Sequence, residues 1–390
     1  GKAVDWHTNP DEPFTTNAMA AGIVPEPGAI TGTGDQIVLD PAQNNSFRFI
    51  AHALADGATL HYAPAINGAS PHYIISNYSS VKADALAKEL FVRAQRQSAA
   101  EVGNAIAVPA RIAVYKSQPG VMDEGWTEWL FDTYGFKYTL ITPQDLRAGG
   151  AALVSRFDAI VLASQGIGPS TRGGRGGGGG GAGRGGRGNA AADSAAMQDV
   201  RAIDDFVKSG GTVVAWNQGA ASAANALHLP VRNVVQGLSR KQFFTGGSIM
   251  QVTTDPTQPA MAGMPARADV FVTNSPVFTT TDGFEGSVLA KFPSDASPLR
   301  SGYLAGDQYM KGFAAALDVK HERGHVVLLA FQPQWRGQPI GTFRTVFNAA
   351  LFSRTVGDQT KPTAGFWTAP PMPAESSTPR GNRGGQPPAR

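Results

Sequence analysis

The stretch SAAMQDVRAIDDFVKSGGTVVAWN, residues 194–217, reads as a helix over 194–210 followed at once by a fully apolar strand over 211–217. A strand that is apolar on both faces belongs inside a covered sheet, and helix–strand alternation with short loops builds such sheets. The same alternation precedes it. RIAVYKS (111–117) reads as a strand and MDEGWTEWLFDTYG (122–135) as a helix stopped by Gly135; KYTLIT (137–142) and DAIVLAS (158–164) read as strands. The pattern predicts a doubly wound, flavodoxin-like parallel sheet.

Working outward, residues 240–331 are strand-rich (SIMQVTT, VFVTN, SVLAKF, GFAAALDVKH, HVVLLAF), and GTFRTVFNAALFS (341–353) reads as a closing helix. A smaller α/β segment, 34–108, precedes the sheet domain. In it QIVLD, TLHYAP and YIISN read as strands, NNSFRFIAHALADG as a helix, and SSVKADALAKELFVRAQRQ (79–97) as one helix throughout. Residues 1–33 read as an extended arm or linker. The sheet domain spans 109–356, with a Gly/Arg-rich insertion at 166–193, and 357–390 is a Pro/Gly/Arg-rich tail expected to be disordered or draped over the surface.

Among 390 residues, 42% are hydrophobic, enough for a large core, and 16% are charged. No run approaches the length of an apolar membrane span. The absence of cysteine removes disulfides and thiolate chemistry. Of 33 basic residues, seven (Arg172, Arg175, Arg184, Arg187, Arg380, Arg383, Arg390) lie in the Gly run and the tail, leaving 26 against 30 acidic ones. The folded part is therefore mildly acidic, and no nucleic-acid partner is expected. The RGG run has no interleaved aromatics to stack on bases and reads as a flexible surface insertion. The start at Gly1, without Met, reads as a piece of something longer.

HERGH (321–325) formally matches H-E-x-x-H, a pattern that binds zinc because a helix sets residues i and i+4 on one face. Here apolar, β-branched runs flank it. The expected structure is a hairpin with a three-residue loop, Glu322-Arg323-Gly324, in which Gly324 takes the positive φ. His321 and His325 are then a chance match on a solvent-facing hairpin, although their rings could still face each other. The other histidines show no metal spacing, and neither G-x-S-x-G nor a P-loop occurs.

Ligands of open α/β sheets bind at the carboxyl ends of the strands. Those ends carry Lys116 and Ser117, then Gln165 and Gly166, then Asn217, Gln218 and Gly219, and finally Gln332, Pro333, Gln334, Trp335 and Arg336. The order of elements resembles a class I glutamine amidotransferase. That family places a Cys in a strand-to-helix elbow and ends a later strand in His-Pro-Glu. AWNQGA puts Asn217 or Gln218 at the Cys position, and AFQPQ puts Gln332 and Gln334 at the His and Glu positions. An amide is neither nucleophile nor base near neutral pH, so no catalytic residue is expected. What remains is an amide-lined crevice with Lys116, Gln165, Trp335 and Arg336 as candidate ligand-binding residues. Asp123 and Glu124 suit the positive end of their helix and lie at the crevice edge, which keeps them as further candidates. Trp126 and Trp129 read as core.

A closer resemblance rests on RIAVYKSQPGVMDEGWTEWLFDTYGFKYTLIT, LPVRNVV and FQPQWRGQPIGTFRTVFNAALF. These stretches look like the C-terminal part of exported bacterial proteins of the carboxypeptidase A-like zinc metallopeptidase family. The resemblance covers roughly residues 35–355. The family's zinc ligands, a His-x-x-Glu and a distant His, have no counterpart here, so it implies zinc only in a peptidase domain upstream. It further implies export and a non-catalytic accessory, scaffolding or assembly role, with that domain or another copy as partner. Two other readings stand beside it: a module binding a polar ligand, such as a sugar or a peptide, and a metal-dependent hydrolase using His321 and His325.

Overall fold

The computed structural model describes residues 26–65, 70–99, 106–108, 111–168, 190–352, 354–359 and 361–373. Most of the Gly/Arg-rich insertion, most of the N-terminal arm and the end of the tail lie outside these.

Six strands form the first sheet: β1 (Ala29–Gly32), β2 (Gln36–Leu39), β3 (Thr59–Ala63), β4 (His72–Ser76), β5 (Arg93–Gln97) and β6 (Ile106–Ala107), in the order β1-β5-β2-β4-β3-β6. Helices α1 (Asn44–Ala55) and α2 (Ser80–Leu90) belong to this segment. Two expectations are corrected here. The stretch read as an arm contributes β1, and residues 79–97 are not one helix. Phe91 takes a left-handed conformation (φ 55°), and the chain reverses into β5, between β1 and β2. Val92 N–H closes the helix end on Ala87 C=O at 2.9 Å, and ladder bonds on both sides of β5 outweigh the local helical preference.

The second sheet begins with β7 (Ile112–Tyr115), α3 (Met122–Tyr134), β8 (Tyr138–Ile141), α4 (Pro143–Gly149), β9 (Ala159–Leu162), α5 (Ala190–Lys208), β10 (Thr212–Trp216) and α6 (Gln218–Ala226). It continues through β11 (Val231–Asn233), β12 (Phe244–Thr254), β13 (Arg267–Thr273), β14 (Phe278–Thr280), β15 (Gly286–Lys291), β16 (Leu299–Ser301), β17 (Leu304–Ala305), β18 (Ala314–His321) and β19 (Gly324–Leu329), and closes with α7 (Phe343–Ala350) and α8 (Arg354–Gln359). The parallel part runs β8-β7-β9-β10-β19. Taken in chain order this is 2-1-3-4-5, the flavodoxin-like arrangement. Every residue of β7, β9, β10 and β19 is buried, as expected of strands covered on both faces. The strand-rich extension continues the same sheet antiparallel, through β18, β15 and β12 to β13 at the edge.

The two segments share a core. Phe47 of α1 stacks on Phe347 of α7 at 5.0 Å between centroids, and Tyr134 and Phe136 lie 4.5 and 5.2 Å from the same ring. The Tyr73 hydroxyl donates to Asn348 Oδ1 at 2.9 Å across the junction. Part of the tail is draped over the sheet domain, one of the two forms expected for it: Trp367 Nε1 donates to Gly312 C=O at 2.8 Å.

Trp126 and Trp129 are not core. Thr127, Leu130, Phe131 and Tyr134 form the buried face of α3. The two indoles flank that face edge-to-face at 5.5 Å, with Trp129 41% exposed.

The 321–325 hairpin also differs from expectation. His321 pairs with Gly324, which leaves a two-residue loop, and the positive φ falls on Glu322 at 55°. Gly324 is needed for another reason: a Cβ there would lie 2.2 Å from Val207 O and 2.3 Å from Gly211 O. His325 pairs with Lys320, one position on from the His321–Gly324 pair, so the two imidazoles lie on opposite faces of the ladder. His321 Nε2 meets Asp204 of α5 at 2.7 Å. His325 is buried, not solvent-facing, and its Nδ1 meets Asp318 at 2.9 Å. The rings do not converge on one ion.

Candidate functional site at the carboxyl edge of the sheet

Strand β10 ends in a sharp elbow. Asn217 has φ 51° and ψ −126°, and α6 starts at the next residue. A strained strand-to-helix turn of this kind is how such folds present a nucleophile. The strain falls on Asn217 rather than Gln218. The close approach also requires Gly219, whose Cβ would meet Leu162 O and Gln165 O at 3.0 Å each. Gln218 turns away and donates its amide to Asn274 C=O.

The two glutamines after β19 are spent on helix α3. Gln332 Nε2 donates to Asp123 Oδ2 at 2.8 Å. Gln334 Nε2 donates to Asp123 C=O at 2.9 Å and to Thr127 Oγ1 at 3.0 Å. Both side chains are buried, at 4% and 1% exposure. They tie the first turn of α3 to the end of the central strand. Gln165 does the same between neighbouring strands: its amide donates to Tyr115 C=O and its oxygen accepts from Ser117 Oγ at 3.0 Å.

Asp123 and Glu124 are buried despite their position on the first turn of α3. Lys116 reaches Glu124 Oε1 at 3.2 Å and Glu128 at 3.7 Å. Burial raises the Glu124 carboxyl above its ordinary range, against the pull of Lys116. The Lys116 ammonium is held above its ordinary value by its bond to Glu124 and then by the charges of Glu124 and Glu128. Five buried oxygens at this edge have no hydrogen-bonding partner among the described residues: Glu124 Oε2, Ser164 Oγ, Asn217 Oδ1, Gln332 Oε1 and Gln334 Oε1.

Trp335 and Arg336 leave this group. Trp335 stacks on Phe271 of β13 at 4.2 Å, and the Arg336 guanidinium lies 4.6 Å from the Trp335 ring centre. The structure thus joins Lys116 to Glu124, and Asp123 to Gln332 and Gln334. It sends Gln218, Trp335 and Arg336 elsewhere. Sequence reasoning missed Thr127 and Glu128. Their signal was helical spacing, since each lies four residues after a carboxylate of the first turn. Among the described residues no group of three His, Asp or Glu side chains is placed to hold a metal ion. No helix among them is long and apolar enough to cross a membrane.

The arrangement offers no thiolate or imidazole at the elbow or beside it. Among the described residues it offers hydrogen-bond acceptors and two buried carboxyls, Asp123 and Glu124.

No family model and no curated protein matches the sequence. Among solved structures, the chain is similar to a glutamine amidotransferase from Thermotoga maritima, at 12% identity over 63% of this chain and 98% of the other, with a TM-score of 0.38. It is also similar to a ThuA-like protein from Bacteroides uniformis, at 11% identity over 62% and 90%, with a TM-score of 0.35. A β-galactosidase from Bacillus circulans matches at 11% over 64% of this chain and 32% of its own, with a TM-score of 0.37. Likeness at this level carries no weight of its own, and the flavodoxin-like fold rests on the strand order.

Proposed function

We propose that this chain is a non-catalytic accessory or scaffolding region built on an amidotransferase-like fold, of the kind expected beside a zinc carboxypeptidase-like domain in an exported protein. The observation that carries the reading is the use made of Gln332 and Gln334. Where the resembling family needs a base and its partner, these amides lock helix α3 to β19. Asn217 occupies the strained elbow without any group that can attack a substrate.

Two measurements test this. The purified chain is expected to be silent in glutaminase, esterase and peptidase panels. Gln334→Leu is expected to lower unfolding stability by about 1–3 kcal/mol, because it strands Thr127 and the first turn of α3. Turnover abolished by Asn217→Ala would sink the proposal. The link to a peptidase is tested separately, by intact mass and zinc content of the protein isolated from its native source. A zinc-bearing longer species supports it, and a zinc-free species of this mass does not.

A second reading, a polar-ligand module, is favoured by the five unpartnered buried oxygens. A small polyol or amine would supply the missing donors. Quenching of tryptophan fluorescence by such a compound, lost in Asn217→Ala, would support it.

A further inference from the structure

We propose that the outer edge of β13 accepts an extended, acidic peptide segment as an added strand. This site is separate from the elbow and does not depend on the proposed accessory role.

Strand β13 ends the sheet, with β12 on one side, and among the described residues no strand pairs with its other edge. The direction of its backbone groups follows from two neighbouring bonds. Thr254 N–H of β12 donates to Ala266 C=O at 2.9 Å, whereas Gln251 N–H turns away from β13 to Pro298 C=O at 2.7 Å. Antiparallel pairs alternate between bonded and non-bonded. Even-numbered residues of β13 therefore bond β12, and Arg267, Asp269 and Phe271 turn their N–H and C=O outward. Phe271 C=O already accepts from Gln332 N–H at 2.9 Å. The main-chain groups of Arg267 and Asp269 have no partner among the described residues.

Alongside this edge runs a groove of about 1340 Å³. Residues 267–271 form one wall; Val38, Arg93 and Gln95 of the first sheet form the other, and residues 338–341 also line it. That volume exceeds the roughly 300–1,000 Å³ typical of small-molecule sites and suits several peptide residues.

The charge on the walls selects the occupant. Arg267 is exposed and has no ion-pair partner among the described residues. Arg344 also lines the groove, with a buried Nε that has no hydrogen-bond partner there. Arg93, also on the wall, is already paired with the exposed Glu26 carboxylate. Of the two acids on the walls, Asp269 lies 3.7 Å from Arg300, which leaves Asp40. Main-chain pairing supplies affinity in strand addition, and side-chain contacts supply specificity.

The test uses the full chain and a fluorescein-labelled peptide of alternating Val and Glu, blocked at both ends, followed by anisotropy. A Val/Lys peptide is the control. Saturable binding is expected, weakened at least about tenfold for the Val/Lys peptide. Asp269→Pro removes an N–H turned to the groove but no bond to β12, as edge strands permit. It is expected to weaken binding by about tenfold, and Asp269→Ala to leave it near the parent value. Arg267→Glu, at an exposed position, is expected to weaken it as well. No saturable binding, equal binding of both peptides, or an Asp269→Pro variant of unchanged melting and unchanged affinity would overturn the proposal. So would a self-association that Asp269→Pro abolishes, because the occupant would then be a second copy.

Discussion

Asn217 pays for its position with both backbone and side chain: its φ of 51° lies where L residues are strained, and its Oδ1 is buried without a partner among the described residues. Such strain costs on the order of 1–3 kcal/mol and persists where the surroundings over-determine it. A catalytic residue would justify the cost. If the elbow is non-catalytic, as proposed, removing the strain should help the fold. Asn217→Gly is expected to raise unfolding stability by about 1 kcal/mol in urea titrations, since Gly tolerates positive φ and carries no buried amide. A loss of stability would mean that the Asn217 amide makes a contact worth more than the strain.

At the scale of elements, Phe91 and α8 each illustrate an end condition. Phe91 closes α2 in the left-handed conformation and is 44% exposed. Phe91→Gly should therefore stabilise by roughly 0.5–1 kcal/mol, because little apolar contact is lost and the cap becomes unstrained. Helix α8 packs against His325: Gly357 approaches the ring so closely that a Cβ would lie 2.4 Å from Nε2, and Asp358 Oδ1 is 3.9 Å from that nitrogen. Burial alone would lower the pKa of this imidazole; the Asp318 charge and hydrogen bond, with Asp358, outweigh it and leave the net value raised above 6.5. A raised folded-state pKa gives stability that is fully present below the unfolded value near 6.5 and is lost as pH rises through the folded one. Urea midpoints should accordingly fall as pH is raised from 6.5 into the alkaline range, and Asp318→Asn should flatten that dependence. An unchanged slope in Asp318→Asn would show that another group is responsible.

At the scale of the whole molecule, the first sheet and the flavodoxin-like sheet are joined through α7. Phe347 sits amid Phe47, Phe131, Tyr134 and Phe136, while Asn348 bonds Tyr73 on one side and Ala262 C=O on the other, at 2.9 and 2.8 Å. Phe347→Ala should cost about 3–5 kcal/mol and lower a single unfolding transition. If instead one of two separate transitions shifted while the other stayed, the segments would be independent units, contrary to their shared core. Arg344 and Asn348 of α7 also bond the carbonyls of Gly263 and Ala262, just ahead of β13, and so tie the start of the edge strand to this junction.

The parallel sheet was legible from residues 111–217 because burial on both faces forces unbroken apolar runs, and those runs alternate with helices whose caps and stops are local. The amides at the ends of β10 and β19 were legible for the same reason, since they follow strand ends. Three things were not. The break at Phe91 depends on β1 and β2 competing for residues 93–97, and the helical pattern of the segment carries no trace of that competition. The separation of His321 from His325 depends on a one-residue register, which turns a side chain to the opposite face without changing composition. The roles of Gln332 and Gln334 depend on the first turn of α3, more than two hundred residues away, arriving within hydrogen-bond reach. Sequence patterning determined the apolar strands of the parallel sheet and the helices between them. Long-range packing decided which polar groups meet, because hydrogen bonds act over about 3 Å and only the folded chain sets that distance.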